Sequence, residues 1–127
     1  MEGIAPKRRL HVLVVESEAV IALHLKELLA SAGHSVIGPF SDPQQALAAV
    51  TDGHAIDLAI LDMTVQEQAG FALPAELNRQ SIPFLFVTAA VEKAIPADYR
   101  DSPTLQKPFA MPDLTRLVEA LSLRKRT

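Results

Sequence analysis

Apolar residues along the chain alternate between short runs and longer stretches with helical spacing. Short runs rich in valine, leucine and isoleucine are typical of strands. The predicted strands are residues 10–15, 35–40, 57–61, 82–87 and 104–107, of which 35–40 has the weakest pattern. The run at 57–61 is apolar on both faces after its first residue, which favours the centre of a parallel sheet.

The stretches between the strands carry helix signals. Residues 18–32 have apolar side chains at helical spacing and end before a glycine, where helices commonly stop. A polar cap and a proline at 41–43 open a second helix that reaches about residue 52. A third helix is predicted at 70–80, and Pro112 opens a last one with an apolar face.

Strands that alternate with helices predict a parallel sheet with right-handed crossovers and helices on both faces. At this length the best interpretation is an α/β, flavodoxin-like (βα)5 three-layer sandwich with strand order 2-1-3-4-5. The segment 89–102 is predicted to hold only a shortened fourth helix. The reason is that Pro96 and Pro103 leave room for about two turns.

Composition and charge narrow the class of protein. The chain has no cysteine, which excludes disulfide scaffolds, cysteine zinc sites and thiol catalysis. Six of its twelve basic residues lie in end clusters, predicted as solvated tails over 1–9 and 124–127. The predicted domain, 10–123, keeps six basic and fourteen acidic residues, a poor balance for nonspecific nucleic-acid binding. No apolar run reaches the length of a membrane span and no signal peptide is recognised, so a cytoplasmic location is expected.

Polar side chains follow or end four of the predicted strands. Glu16-Ser17-Glu18 follows the first, Asp62 the third, Thr88 the fourth, and Lys107 ends the fifth. In open α/β sheets the ligand site lies at the carboxyl ends of the strands, where these side chains would converge. Carboxylates, a hydroxyl and an ammonium group suit phosphoryl transfer to an aspartate beside a hard divalent cation.

An ordinary structural role would account for each of these residues alone. Asp62 or Thr88 could cap the segment that follows, and Lys107 or Glu16 could lie on a solvated surface. Their joint placement at strand ends favours the functional interpretation. Other catalytic patterns fail, because the sequence has no dinucleotide-binding glycine motif, Walker A motif or nucleophile elbow. The four histidines lack metal-ligand spacing.

The same residues resemble the receiver domain of two-component response regulators. The similar segments, which run from about Arg9 to Leu121, are VLVVESEAVIA, DLAILDMTVQEQAGF, IPFLFVTAA and PTLQKPFAMPDL. The Lys-Pro-Phe sequence after a short fifth strand is the most specific of them. In this family the Lys-Pro bond is usually cis, which places the lysine over the site.

The resemblance implies a role for each matching residue. It makes Asp62 the phosphoacceptor, Thr88 the switch hydroxyl, Lys107 the phosphate-binding lysine and Glu16 the first of an acidic pair. Magnesium would be bound by Glu16, Asp62 and the backbone carbonyl of Thr64. The implied partners are a histidine kinase or histidine phosphotransfer protein and a downstream protein. Neither nucleic acid nor membrane is an expected partner, and a homodimer is left open.

Three positions depart from the family pattern. Ser17 replaces the second acid, a direct metal ligand, and its hydroxyl, or a water that it holds, would fill the gap only weakly, so magnesium binding is expected to be weak. Glu18, at the start of the first helix, is expected to point away from the site. Thr104 replaces an aromatic switch residue, and 89–102 replaces a full fourth helix, so that segment is expected to change most on phosphorylation. The short segment, with the Phe-Val-Thr sequence before it, is similar to a subgroup of stand-alone receivers with Phe-Ala-Thr-Gly at this place.

The leading interpretation is a phosphoacceptor that is not itself an enzyme. Because Ser17 removes an acid, the main alternative is a degenerate receiver that binds a partner without being phosphorylated. A third interpretation is a flavodoxin-like binding module or phosphatase of unrelated chemistry, since a fold does not fix a function.

Overall fold

The computed structural model describes residues 9–89 and 96–125. Its strands are β1 (His11–Val15), β2 (Ser35–Phe40), β3 (Leu58–Asp62), β4 (Phe84–Thr88) and β5 (Thr104–Gln106). Its helices are α1 (Ala19–Ser31), α2 (Pro43–Thr51), α3 (Met63–Gln68), α4 (Ala72–Arg79) and α5 (Met111–Lys125), and a 3-10 turn covers Ala97–Tyr99. All five predicted strands therefore form, with ends displaced by at most two residues.

The strands pair in parallel in the order β2-β1-β3-β4-β5, which confirms the predicted flavodoxin-like topology. β3 is central, and each of its residues is buried. Its last residue, Asp62, lies opposite Val87 of β4, so Thr88 is one position further along the neighbouring strand. The topology thus brings the polar strand ends to one edge of the sheet.

The sheet separates two apolar cores, as a three-layer sandwich requires. Successive residues of a strand point to opposite faces, so β1 supplies both cores. Val12 and Val14 pack with α1 and α5, while Leu13 and Val15 pack with α2, α3 and α4. Both faces of the central strands are thereby covered, which explains their almost continuous apolar sequence.

α3 is a helix that the sequence pattern did not predict. It begins directly after Asp62, whose side chain accepts a hydrogen bond of 3.0 Å from the Thr64 amide, as a helix-capping residue does. Met63, Val65 and Gln66 are buried against the rest of the fold. A stretch of six residues is too short to show helical periodicity, so only tertiary burial reveals it.

The helix predicted at 70–80 is α4, which starts two residues later. Gly70 and Phe71 precede it with positive φ angles of 67° and 59°, and the chain changes direction there. This conformation is uncommon for a phenylalanine. The ring of Phe71 stacks on Tyr99 with centroids 5.2 Å apart, so packing in the second core holds the residue in place.

The predicted fourth helix and both predicted tails include residues outside the described ranges. Within the predicted short fourth helix the structure describes a 3-10 turn, Ala97–Tyr99, while residues 90–95 lie outside the described residues. α5 continues to Lys125, two residues into the predicted C-terminal tail. Most of the predicted N-terminal tail, 1–8, also lies outside them. Among the described helices, none combines the length and apolarity needed to cross a bilayer.

Candidate functional site

Asp62 lies at the centre of the site, because β3 ends there in the middle of the sheet. Its side chain is only 3% exposed. One carboxylate oxygen, Oδ1, accepts the Thr64 amide at 3.0 Å. The other, Oδ2, accepts the Ser17 hydroxyl at 2.8 Å and the Ser17 amide at 3.3 Å. Both oxygens are thus held in fixed directions by donors from two segments, the loop after β1 and the first turn of α3.

Glu16 follows β1 and is fully buried beside Asp62. Its amide donates to the carbonyl of Phe40 at 2.9 Å, which joins the ends of β1 and β2. Its Oε2 accepts the Glu18 amide at 3.0 Å and the Lys107 ammonium at 3.0 Å. Its Oε1 is buried and has no hydrogen-bond partner among the described residues. Such an orphaned carboxylate oxygen is a candidate ligand for a cation.

Lys107 reaches the site from the end of β5. Its amide donates to the Thr88 carbonyl at 2.8 Å, so the main chain fixes the position of the lysine relative to β4. The Lys107–Pro108 bond is cis, as the family resemblance implies. The ammonium lies 3.0 Å from Glu16, 3.2 Å from Glu18 and 3.8 Å from Asp62. One cation therefore serves three carboxylates.

Burial competes with hydrogen bonds and ion pairs in setting the pKa values of these groups. Burial raises the pKa of Glu16 and outweighs the hydrogen bonds from Glu18 and Lys107. Burial also acts to raise the pKa of Asp62, but the hydrogen bond from Ser17 and the charge of Lys107 outweigh it and lower that pKa. The ion pairs of Lys107 overcome burial and raise its pKa. Asp62 is thus the carboxyl that ionises first, and Lys107 stays charged.

The donor set fits a hard cation only in part. Glu16 and Asp62 are the two carboxylates available, and no group of three or more histidine, cysteine or acidic residues is arranged around a metal position within the described ranges. Magnesium keeps several waters and accepts few protein ligands, so two carboxylates suffice chemically. Thr64 lies in the first turn of α3, and its amide is bonded to Asp62 Oδ1. Its backbone carbonyl stays a predicted ligand.

The structure brings Glu16, Ser17, Asp62 and Lys107 into direct contact. Thr88 is buried at the end of the adjacent strand. We expected Glu18 to point away from the site, and this was wrong, because its side chain pairs with Lys107. Eighty-nine positions separate the two residues, so no local pattern indicates the pair.

A second unpredicted feature is Gln66, on α3 one turn beyond Asp62. Its side chain is completely buried, and in the described part of the chain neither its amide nitrogen nor its carbonyl oxygen has a hydrogen-bond partner. Buried amides almost always have partners, so this one is a source of instability. Because Gln66 is polar and lies in a stretch with no predicted helix or strand, the sequence does not indicate that it is buried.

Comparison with known proteins identifies relatives of the chain. A family described as response regulator receiver domain matches residues 12–119. The transcriptional regulatory protein TcrA of Mycobacterium tuberculosis is 34% identical over 118 residues, which cover 89% of this chain and 46% of TcrA. The two-component response regulator PhoP of Pseudomonas aeruginosa is 39% identical over 79 residues, which cover 61% and 34%. The chain thus spans less than half the length of these curated relatives.

Solved structures agree with the sequence comparison. The solution structure of SdrG from Sphingomonas melonis has a TM-score of 0.76 and 34% identity, over 89% of this chain and 96% of SdrG. The PhyR stress response regulator has a TM-score of 0.77 and 27% identity, over 95% and 48%. Receiver domains signal by phosphorylation and generally bind magnesium at their acidic site. Because fold, strand-end residues and family match agree, the chain belongs to the response regulator receiver domain family.

Proposed function

We propose that Asp62 of this chain accepts a phosphoryl group from a histidine kinase or a histidine phosphotransfer protein. The observation that carries the proposal is the 3.8 Å approach of the Lys107 ammonium to Asp62 Oδ2, with both side chains buried. An ionised carboxylate in a shielded site is a competent nucleophile toward phosphorus. A fixed cation beside it counters the charge of the incoming phosphoryl group.

The transfer exchanges one bond to phosphorus for another. The N–P bond of the donor phosphohistidine breaks as an oxygen of Asp62 forms a new O–P bond. The electron pair of the broken bond returns to the ring, so a phosphohistidine protonated on its other nitrogen leaves as neutral imidazole. Lys107 would donate hydrogen bonds to the phosphoryl oxygens during the transfer. Glu16 and Asp62 would hold a magnesium ion, which supplies further positive charge at those oxygens.

An opening beside Lys107 gives a donor access to the site. This cavity of about 380 Å³ is lined by side chains of α1 and of the segment after β5, including Ile21, His24 and Phe109. The rings of His24 and Phe109 stack across it with centroids 6.1 Å apart. This opening borders the Lys107 side of the site, where a phosphodonor could approach.

The signal would leave the domain by protein–protein contact. Thr88 ends β4 beside Asp62, and its carbonyl is bonded to the Lys107 amide. Its hydroxyl would bond the phosphoryl group and draw on the segment that follows. The protein would act in the cytoplasm, with no catalytic turnover of its own, on a downstream protein rather than nucleic acid or membrane.

The test is chemical labelling with acetyl phosphate and magnesium, followed by intact mass measurement. One phosphoryl adduct is expected on the wild-type chain and none on Asp62→Asn. Asp52→Asn, at an exposed position, is the matched control and should label like wild type. Absence of the adduct at every magnesium concentration would overturn the proposal.

A degenerate receiver is the second candidate. Ser17 already donates to Oδ2 of Asp62, and Glu16 and Glu18 already pair with Lys107, so these contacts form without metal or phosphate. Under this alternative Asp62→Asn binds the downstream partner as tightly as wild type does. Under the leading proposal only labelled wild-type protein binds it tightly.

A further inference from the structure

Glu18 engages the site in two ways. Its backbone amide donates to Glu16 Oε2 at 3.0 Å, and its side chain accepts the Lys107 ammonium at 3.2 Å. The Lys107 side chain is 7% exposed, whereas that of Glu18 is 59% exposed. Glu18 therefore lies at the solvent side of the ammonium and Glu16 at its buried side.

In this arrangement Glu16 and Glu18 compete with Asp62 for the Lys107 ammonium. Its nitrogen is within hydrogen-bond distance of Glu16 and Glu18 but lies 3.8 Å from Asp62. An ammonium has three N–H donors, and a phosphoryl group on Asp62 would need one of them directed toward Asp62. The bond to Glu18 directs the Lys107 ammonium toward the solvent side instead, and so opposes that orientation.

The charge of Glu18 acts in the same direction. Three carboxylates surround one ammonium, so the site carries excess negative charge before a phosphodonor arrives. Small phosphodonors are anions, and an exposed carboxylate at the entrance repels them. Both effects slow the reaction at Asp62.

We propose that Glu18 is a positioning residue that holds Lys107 toward the solvent side and thereby slows phosphorylation of Asp62. The inference rests on the proposed function, since it concerns the rate of the same reaction. It assigns to Glu18 a restraint on transfer. A direct contribution to the reaction belongs to Lys107.

The first experiment measures the rate of labelling by acetyl phosphate at saturating magnesium. Glu18→Gln removes the charge but retains the backbone bond to Glu16, so the fold should persist. An exposed ion pair is worth up to about 1 kcal/mol, so labelling should become roughly two- to fivefold faster. Glu27→Gln, on the exposed face of α1, is the control and should label at the wild-type rate.

The second experiment asks whether Glu18 acts through the lysine. In a Lys107→Ala background, Glu18→Gln should accelerate labelling much less than in wild type. The NMR signal of the Lys107 ε-methylene should shift in Glu18→Gln and remain unchanged in Glu27→Gln. An equal acceleration with and without Lys107 would overturn the positioning role.

The remaining outcomes separate this inference from the proposed function. If wild type labels and Glu18→Gln labels no faster, the restraint is wrong and the phosphoacceptor proposal stands. If Glu18→Gln labels more slowly and needs more magnesium, Glu18 supports the metal and the inference is overturned. If no protein labels, the proposed function fails, and this inference fails with it.

Discussion

The hydroxyl of Ser17 donates a 2.8 Å hydrogen bond to Oδ2 of Asp62, at the place where related domains carry a second acid. A serine therefore satisfies the aspartate where a carboxylate would repel it. In the metal-free site both carboxylate oxygens of Asp62 therefore accept hydrogen bonds. The serine also lacks the negative charge with which an acid at this position would attract magnesium.

Replacing Ser17 by aspartate should lower the stability of the metal-free protein and raise its affinity for magnesium. Ser17→Asp adds a carboxylate beside Asp62, so the metal-free protein should unfold at a lower temperature. One added charged ligand is worth about 1.5–3 kcal/mol, and magnesium affinity should rise roughly ten- to hundredfold. Calorimetric titration measures the affinity, and Ser17→Ala is the control that removes the hydroxyl without adding charge. No gain in Ser17→Asp would show that this position does not face the metal.

Removing the charge of Glu16 should stabilise the metal-free protein at neutral pH. The pKa of Glu16 is raised above its usual 4.5, chiefly by burial. A group with a raised folded-state pKa stabilises the fold below its unfolded pKa and loses that contribution as pH rises. Glu16→Gln should therefore be more stable than wild type at pH 7 in EDTA. The gain should shrink as the pH falls toward 4.5 and below.

Urea unfolding at several pH values measures this difference. Glu27→Gln is the control, because Glu27 is exposed on α1. Magnesium should stabilise wild type more than Glu16→Gln and so reduce the gap between them. A Glu16→Gln protein that is less stable at pH 7 would show that the Lys107 ion pair outweighs the burial of the carboxylate.

Gln66 should be replaceable by methionine with a gain in stability. The Gln66 amide is buried with no partner within the residues that the structure describes, and a buried unsatisfied polar group costs about 1–3 kcal/mol. Methionine has similar size and helix propensity, so Gln66→Met should increase the free energy of unfolding by an amount in that range. Gln68→Met, exposed on the same helix, should change it little. Equal effects at both positions would contradict the assignment.

Tyr99 should be the main anchor of the turn before β5. Its ring stacks on Phe71 at 5.2 Å and meets Phe86 edge-on at 5.9 Å. Truncating a buried aromatic ring costs about 3–5 kcal/mol, so Tyr99→Ala should lower stability by that order. Tyr99→Phe keeps the ring and should unfold close to wild type. Amide exchange near Ala97–Tyr99 should accelerate in Tyr99→Ala.

Asparagine and alanine at position 62 should separate the chemical role of Asp62 from its structural role. Both Asp62→Asn and Asp62→Ala remove the charge and the phosphoacceptor. Asparagine can still cap α3 through its side-chain oxygen, whereas alanine cannot. Asp62→Ala should therefore be less stable than Asp62→Asn by about 1 kcal/mol. Equal stability would mean that the cap does not support α3.

The fold and the main site residues were predictable because they depend on patterns with a fixed period. Strands and helices alternate, and parallel strands bring their carboxyl ends to one edge, so Asp62 and Lys107 could be placed together without coordinates. The observed strand order confirmed the predicted topology.

The remaining features depend on contacts that sequence periodicity does not record. α3 is too short for a helical pattern and exists because its apolar side chains find a buried surface. The direction of Glu18 is set by a lysine eighty-nine positions away. Phe71, which stacks on Tyr99, has a positive φ that nothing in the sequence at that phenylalanine indicates.

Asp62 is at once the last residue of a strand and the cap of the next helix. Under the proposed function, phosphorylation would turn its carboxylate into a mixed anhydride, whose oxygens are weaker hydrogen-bond acceptors. The amide of Thr64 would lose strength in its bond at the moment the new bond to phosphorus forms. Chemical input and structural response would then share one side chain, and no mechanical linkage would be needed between the modified atom and the first turn of α3.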